Sequence, residues 1–316
     1  MEFLTQYGLF ALKTLTLVLA ILFLLGGVLA LTRKSKTDLT VSFLNDDYRH
    51  LVEYMEKAVL GKKTKKPKLK KTPSKKKAEP VLYVIDFDGD IKASQVEPLR
   101  EEVSAILAVA TKHDEVLIRL ESPGGSVNGY GLAAAQLQRI RDRDIPITAC
   151  IDKVAASGGY LMACVANQII AAPFAIVGSI GFVAQLPNFH RWLQKNDIDV
   201  ELITAGKYKR TLTVLGKNTP KGRAKFQEDL EQIHKSFRQY VLNNRSELDI
   251  DQVATGEHWL ATDALNLRLI DQLQTSDEFI INKIQTHRIF HIKVYHKPTW
   301  LERMLHPASK LMHPFA

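Results

Sequence analysis

The chain has 316 residues, 46% of them hydrophobic, which suffices to bury an α/β core of about 200 residues and leave appendages. Its formal charge of +9 comes from one segment, residues 62–77, which holds ten lysines and no acidic residue. Without these lysines the formal charge is −1 (9 − 10). No aromatic residues interleave with these lysines, which argues against a nucleic-acid partner, and the two cysteines, Cys150 and Cys164, lie in core-like runs that predict buried thiols rather than disulfides.

An apolar run near the N-terminus predicts a membrane anchor. Residues 14–32 are 19 uncharged, strongly apolar positions, and as a helix they would cover about 28 Å of a bilayer core that is about 30 Å thick. A cleaved signal peptide is the rival interpretation. Glu2 is acidic where a signal peptide begins with basic residues, however, and Arg33 and Lys34 resemble a stop-transfer flank. We therefore expect one membrane span, with its basic flank, within residues 1–36.

Residues 37–80 predict a juxtamembrane helix followed by a spacer. Apolar side chains recur at helical spacing between residues 39 and 60. Pro67, Pro73 and Ser74 argue against a stable helix in the lysine-rich stretch. That stretch is expected to be either a solvated, self-repelling spacer or a segment attracted to anionic lipid.

From residue 81 onward, strand and helix patterns alternate, which predicts an α/β fold. We expect a folded domain over residues 81–296 and a C-terminal tail over residues 297–316, and the amphipathic helix at 220–242 or the tail is the expected subunit contact. The expected strands are 81–87, 115–120, 147–151, 169–171, 200–204 and 289–295, and the expected helices are 93–110, 127–141, one from residue 158 and 220–242.

Two glycine-rich turns follow predicted strands in this domain. The run SPGG at residues 122–125 leaves backbone amides open to a ligand, because glycine has no Cβ. The run ASGGY at residues 156–160 puts the hydroxyl of Ser157 at an apparent strand-to-helix turn, where a nucleophile is commonly found. An ordinary turn and a helix cap are the structural alternatives for the two runs.

The amides expected to stabilise an oxyanion come from the same two turns. The amide of Gly158 directly follows the candidate nucleophile, and either Gly124 or Gly125 supplies the second donor. Removing one donor of this kind costs about 3 to 4 kcal/mol of transition-state stabilisation. These donors, the serine and a lysine further along the chain together suggest a Ser/Lys hydrolase.

The candidate base is a lysine, because none of the ten histidines stands in a pattern that supports a Ser-His-Asp triad. Keeping a lysine neutral at pH 7 costs about 4.6 kcal/mol, so a base lysine needs apolar neighbours or nearby positive charge. Leu212, Val214 and Leu215 are the expected apolar neighbours. Lys207 and Lys209 would point to the same face of an extended segment, and spacing does not choose between them.

The motifs SPGG, ASGGY, GSIG at residues 178–181 and GKYK at residues 206–209 resemble, in their order, those of the signal peptide peptidase A family of membrane serine peptidases. The resemblance covers roughly residues 80 to 290. It implies a stacked strand-strand-helix core of the Clp/crotonase type, with Ser157 as nucleophile, Lys209 as general base and Ser179 as the residue that orients the lysine. It implies no cofactor, and no His/Cys/Asp/Glu cluster in the sequence has metal-ligand spacing.

The resemblance also implies the setting of the activity. We expect a membrane-anchored serine endopeptidase of the bacterial inner membrane that acts on signal peptides or membrane-associated polypeptides. Relatives with one catalytic domain per chain form rings with sites between subunits, so we expect a homo-oligomer of that kind. Basic residues follow the span, and the positive-inside rule places the domain in the cytoplasm, with the periplasm as the alternative. A crotonase-like thioester-binding enzyme and an inactive membrane scaffold are the other candidate functions.

Overall fold

The chain divides into two units, and the candidate site belongs to the larger one. The computed structural model describes residues 6–10, 12–21, 37–61 and 79–296. One unit consists of Met1–Thr40 and Val294–Ala316, and the other is Val41–Lys293. In the first unit, residues 6–10 and 12–21 are helical and are named α1.

The remaining elements alternate along the chain as an α/β fold requires. The strands are β1 (Thr37–Phe43), β2 (Val81–Asp88), β3 (Glu115–Glu121), β4 (Ile147–Ile151), β5 (Val154–Ala156), β6 (Gln168–Ala171), β7 (Ile176–Gly178), β8 (His258–Leu260), β9 (Gln272–Leu273) and β10 (Arg288–His296). The helices are α2 (Leu44–Leu60), α3 (Val96–Val109), α4 (Val127–Arg141), α5 (Gly158–Ala163), α6 (His190–Lys195), α7 (Pro220–Asn244), α8 (Ile250–Val253), α9 (Ala261–Asn266) and α10 (Ser276–Lys283).

Two sheets form the framework of the larger unit. In the larger sheet, six strands lie in the order β10-β2-β3-β4-β6-β9, and every neighbouring pair is parallel. The smaller sheet has the order β5-β7-β8, with β5 parallel to β7 and β8 antiparallel to β7. The parallel strands read as near-continuous apolar runs because both faces of their sheet are covered.

The core follows from the alternation of side chains along these strands. On β2, Tyr83 and Ile85 face the larger apolar cluster, which includes Leu99 of α3 and Leu137 of α4. The intervening Leu82 and Val84 face a smaller cluster on the opposite side of the sheet, together with Phe279 of α10. The period of two along a strand therefore supplies a core to both faces.

The predicted α/β architecture is confirmed, with one wrong element. Strands form at the predicted places except at residues 200–204, where no strand forms and where Leu202 and Ile203 are 51% and 89% exposed. The apolar alternation there has no neighbouring strand to pair with. The helix predicted at 93–110 begins at Val96, and the helix predicted between residues 39 and 60 is α2, which begins at Leu44 directly after a strand. Both cysteines are free and buried, as predicted.

No helix in the described ranges is both long and apolar enough to span a bilayer. The predicted span over residues 14–32 extends beyond those ranges, since residues 22–36 are not described. The lysine-rich stretch at 62–77 and the tail at 297–316 also lie outside the described residues.

The arm, defined as residues 182–219 between β7 and α7, contains α6 and otherwise neither helix nor strand. Its base is closed by hydrogen bonds, because the side-chain amide of Asn188 donates to the Thr213 carbonyl at 2.9 Å and the Phe189 amide donates to the Val214 carbonyl at 2.8 Å. Large apolar side chains of the arm are nonetheless exposed, including Val183 at 93%.

Helix α7 turns its apolar face toward the domain. Phe237 and Val241 are buried, and the Phe237 ring meets the Phe182 ring edge-on at 5.8 Å between centroids. The helix begins at Pro220, and the Thr219 hydroxyl caps it by accepting from the Gly222 amide at 3.0 Å. Phe226, Leu230 and Ile233 on the same face are only partly buried, so the expected subunit contact on this helix stays a prediction, and the most exposed large apolar side chains of this region lie on the arm.

Candidate active site

Ser157 lies at the end of β5 in an unusual backbone conformation. Its φ of 51° and ψ of −114° fall outside the regions that L-residues normally occupy. Its amide donates a 2.8 Å hydrogen bond to the carbonyl of Gly178. Ser157 stands at the N-cap of α5, but within the described part of the chain its side chain makes no capping hydrogen bond. The hydroxyl is therefore not used as a helix cap, and the strained turn is typical of a functional position.

Three backbone segments converge at this turn because β5 has a neighbour on each side. Ser122, at the end of β3, forms a parallel bridge with Ala155. On the other side of β5, Ala156 stands opposite Gly178 of β7. The carboxyl ends of β3, β5 and β7 thus lie next to one another, and each is followed by one of the motifs that the sequence singles out.

The pairing of β5 with β7 brings Ser179 beside Ser157. The two serines directly follow the paired residues Ala156 and Gly178, and both have positive φ, 51° for Ser157 and 53° for Ser179. Ser179 is half-buried. The structure therefore brings together the predicted nucleophile and the serine predicted to orient its base.

Gly124 packs directly against the nucleophile. It is buried at φ 90°, and a Cβ placed on it would lie 2.7 Å from Cβ of Ser157 and 2.9 Å from the amide nitrogen of Gly158. The amide of Gly124 donates to Oγ of Ser122 at 3.0 Å. The close approach requires glycine, and this amide is already used within the protein.

The two other candidate oxyanion donors differ from Gly124. Gly125 is exposed, and a Cβ on it would lie 2.2 Å from the Ile91 carbonyl oxygen. Across the described residues, its amide makes no hydrogen bond. Gly158 lies in the first turn of α5, where an amide has no carbonyl partner in its own helix, and a Cβ on it would lie 2.4 Å from Cγ of Tyr130. Gly125 and Gly158 are thus the glycines whose amides are open.

The predicted base lies on the exposed arm. Lys209 is exposed, and its amide donates to the Gly206 carbonyl at 3.2 Å in a turn where Gly206 has φ 94°. Its side chain forms no hydrogen bond or ion pair with any described residue. The ammonium of Lys207 lies 5.1 Å from the centre of the Tyr208 ring, and that of Lys225 lies 5.6 Å from it. Within one chain, the side chain of Lys209 makes no hydrogen bond to Ser157, and its exposure leaves it without the desolvation that a base lysine needs.

Sequence reasoning missed the contribution of β8. The Ser179 amide donates at 2.6 Å to the carbonyl of Glu257, which directly precedes β8, and the Trp259 ring of β8 would lie 2.8 Å from a Cβ on Gly178. Near the same loop, Nε2 of His234 lies 3.2 Å from the Ile180 carbonyl. A strand of three residues carries no periodicity that could have identified it. In the described ranges, no group of three or more His, Cys, Asp and Glu side chains could hold a metal ion.

Apart from this site, one half-buried charged row crosses the larger sheet. Asp86 of β2 accepts from Nε of Arg119 at 2.6 Å and from Nε2 of His291 at 2.9 Å. Burial alone would raise the pKa of Asp86, but the hydrogen bonds and charges of these two partners hold it well below its usual range. The row joins three neighbouring strands and bears on stability.

Two sequence families match the chain. The description "Peptidase family S49" matches residues 139–288, and "Peptidase family S49 N-terminal" matches residues 2–137. The first match includes the ASGGY, GSIG and GKYK motifs, and the second includes SPGG.

Individual proteins are similar over almost the whole chain. A probable protease SohB from Haemophilus influenzae is 46% identical over 96% of this chain and 92% of its own length. A putative protease SohB from Buchnera aphidicola is 45% identical over 98% of this chain and 96% of its own length. Among solved structures, a mutant of the 1510-N membrane-bound stomatin-specific protease in complex with a substrate peptide matches with a TM-score of 0.44 and 13% identity, over 74% of this chain and 99% of its own.

Proposed function

The chain belongs to peptidase family S49, and from that premise we propose that it is a membrane-anchored endopeptidase whose nucleophile is Ser157 and whose general base is Lys209. Membership confirms the resemblance to the signal peptide peptidase A family, and within it to the SohB proteases. The chain is therefore a serine protease, and the crotonase-like and scaffold alternatives are set aside.

The observation that carries the proposal is the turn at Ser157. Its hydroxyl makes no capping bond in the described chain, and Gly124 and Ser179 flank the turn on its two sides. In the proposed reaction, Oγ attacks the carbonyl carbon of the substrate while the lysine amine takes the hydroxyl proton. The oxyanion that forms accepts hydrogen bonds from the backbone amides of Gly158 and Gly125. The amine product then leaves with that proton, and water hydrolyses the acyl-enzyme.

A second copy of the chain is proposed to complete the site. A base lysine must lose its water, because holding it neutral at pH 7 costs about 4.6 kcal/mol from its ordinary pKa, and Lys209 is exposed in one chain. Ile203 and Val183 on the same arm are 89% and 93% exposed, which is unusual for large aliphatic side chains. An arm that docks on a neighbouring protomer would bury these side chains and desolvate the lysine together. We therefore propose a homo-oligomer whose sites take serine and lysine from different copies.

The finer architecture and setting extend the same proposal. The element order β4-β5-α5-β6-β7, with the short strands paired in their own sheet, supports a stacked strand-strand-helix core of the Clp/crotonase type. We propose the division into an anchor at 1–36, a helix and spacer at 37–80, a peptidase domain at 81–296 and a tail at 297–316. An anchored site meets peptides released in the same bilayer, which favours signal peptides and membrane-associated polypeptides as substrates.

The positive-inside rule favours a cytoplasmic peptidase domain on the bacterial inner membrane, because Arg33, Lys34 and Lys36 follow the apolar run. A reporter fused after Ala316 tests this orientation, and a periplasmic readout from a chain with an intact N-terminus would overturn it. The catalytic proposal does not depend on the result.

Serine-directed labelling tests the catalytic proposal. The full chain is treated with a fluorophosphonate probe in parallel with Ser157→Ala and with Ser246→Ala, which changes an exposed serine outside the site. We expect wild type and Ser246→Ala to be labelled and to cleave a fluorogenic peptide, and Ser157→Ala to do neither. Labelling that persists in Ser157→Ala would overturn the assignment of the nucleophile.

A further inference from the structure

A continuous series of hydrogen bonds leads from the glycine turn through two buried hydroxyls to the loop that follows β2. The Gly124 amide donates to Oγ of Ser122 at 3.0 Å, Oγ of Ser122 is hydrogen-bonded to the hydroxyl of Tyr130, and that hydroxyl donates to the Asp90 carbonyl at 2.8 Å. Ser122 and Tyr130 are both 0% exposed.

The direction of each bond in this chain is fixed by counting protons. Tyr130 has one hydroxyl proton, and it donates that proton in the hydrogen bond to the backbone carbonyl of Asp90, which can only accept. The proton between the two hydroxyls must therefore come from Ser122, whose oxygen accepts from the Gly124 amide. Burial raises the pKa of Tyr130 above its ordinary value, so the hydroxyl stays a donor. All three hydrogen bonds are therefore donated in the same direction, from Gly124 toward Asp90, and each donor polarises the next.

These hydrogen bonds determine which amide of the glycine turn is free to bind a ligand. The Gly124 amide points back to Ser122, while Ser126 donates its amide to the Ile91 carbonyl at 2.8 Å. Gly125 lies between these two fixed residues, and its amide forms no hydrogen bond in the part of the chain that the structure describes. The turn is therefore held on both sides of one open amide.

Both anchors of the turn belong to the loop that follows β2. Asp90 accepts from Tyr130, Ile91 accepts from Ser126, and Gly89 donates its amide to the Glu121 carbonyl at 2.8 Å. Little room is left for the turn to shift, because a Cβ on Gly89 would lie 2.5 Å from the Tyr130 hydroxyl.

We infer that Ser122 and Tyr130 are positioning residues that turn the Gly124 amide away from the reacting carbonyl and aim the Gly125 amide at the oxyanion. This inference rests on the proposed function and deepens it. Tyr130 acts through the turn, and its ring also backs Gly158, on which a Cβ would lie 2.4 Å from Cγ of the ring. One buried side chain on α4 thus supports both proposed oxyanion donors.

The test compares Tyr130→Phe and Ser122→Ala with a matched control, Tyr160→Phe. Tyr160 is also 0% exposed and also donates its hydroxyl to a backbone carbonyl, that of Leu269 at 2.9 Å, but this hydroxyl takes no part in the hydrogen bonds that hold the turn at residues 122–125. Each full-length variant is assayed for kcat and KM on the fluorogenic peptide that wild type cleaves. It is also assayed for inhibition by a peptide aldehyde of the same sequence, whose serine adduct places an oxygen in the oxyanion site.

We expect Tyr130→Phe and Ser122→Ala each to lower kcat by about 10- to 100-fold and to change KM by less than about threefold. Affinity for the aldehyde should fall by the same factor as kcat/KM, because both report oxyanion stabilisation. Tyr160→Phe should lower the melting temperature to a similar extent and leave kcat and aldehyde affinity close to those of wild type.

The outcomes separate this inference from the proposed function. If wild type is labelled at Ser157 and active, and Tyr130→Phe and Ser122→Ala behave like Tyr160→Phe, the positioning inference is wrong and the proposed function stands. If wild type is not labelled at Ser157, both are overturned. Ser122→Ala keeps the bond from Tyr130 to Asp90, so it still decides the question if Tyr130→Phe does not fold.

Discussion

The amide of Ser157 is bound to the carbonyl of Gly178 at 2.8 Å, and this single bond ties the proposed nucleophile to the strand that carries Ser179. The position of the nucleophile therefore depends on the backbone of β7, the strand that Ser179 directly follows.

Gly178→Ala should cost both stability and activity. Its φ of 108° disfavours any side chain, and the new Cβ would lie 2.8 Å from the Trp259 ring, so we expect a loss of about 2–4 kcal/mol in the free energy of unfolding. The Ser157 anchor shifts with it, and kcat should fall. Urea unfolding and peptide hydrolysis measure the two effects.

Gly131→Ala is the control, because a Cβ there meets nothing within 4 Å, and alanine in a helix should stabilise by up to about 1 kcal/mol. Equal stability of the two variants would contradict this account.

Single alanine variants should distinguish the two lysines of the arm. We expect Ser157→Ala and Lys209→Ala each to lower kcat at least about 1000-fold, since nucleophile and base act as one unit. Lys207→Ala removes a contact with the Tyr208 ring and should keep most of the activity. Ser179→Ala should weaken the activity without abolishing it. Peptide hydrolysis by equal amounts of folded protein is the measurement. An inactive Lys207→Ala beside an active Lys209→Ala would move the base to Lys207.

Mixing inactive variants should restore activity if sites form between copies. In an oligomer assembled from equal amounts of Ser157→Ala and Lys209→Ala, about a quarter of the sites combine an intact serine with an intact lysine. We expect hydrolysis near that fraction of the wild-type rate after the subunits exchange. Mixed oligomers that form, as shown by affinity tags on one variant, and stay inactive would place each dyad within one protomer.

The Asp86 row should make stability depend on pH in the acid range. The folded-state pKa of Asp86 is held below its unfolded value, so its contribution is complete above the unfolded value of about 4 and is lost as the pH falls through the folded-state pKa. Asp86→Asn should therefore destabilise by about 2 kcal/mol at pH 7 and flatten the acid side of the stability profile. Thermal unfolding between about pH 2 and pH 7 is the measurement, because the contribution is lost below the unfolded carboxyl pKa of about 4. Asp144→Asn, in an exposed pair with Lys112, should leave both unchanged, and a similar loss in the two variants would contradict the role of the row.

The sequence predicts the parts of the site whose signals are local. The glycine pairs at residues 124–125 and 158–159 and the single Gly178 before Ser179 are visible as motifs, because close backbone approach demands glycine there. Residues 200–204 were predicted as a strand because they alternate like one, but hydrogen-bonding partners decide whether a strand forms, and those come from the fold. Tyr130 gave no signal, since a tyrosine in a helix reads as core and only the packing brings its hydroxyl to the glycine turn.

The exposed arm has a consequence for the life of a newly made chain. Under the proposed two-copy arrangement, a lone protomer has a nucleophile but no base, because its Lys209 is still in water. Such a chain would be inactive until it meets a second copy. Under this proposal, the rate of proteolysis should rise more steeply than the enzyme concentration and should be lost on dilution.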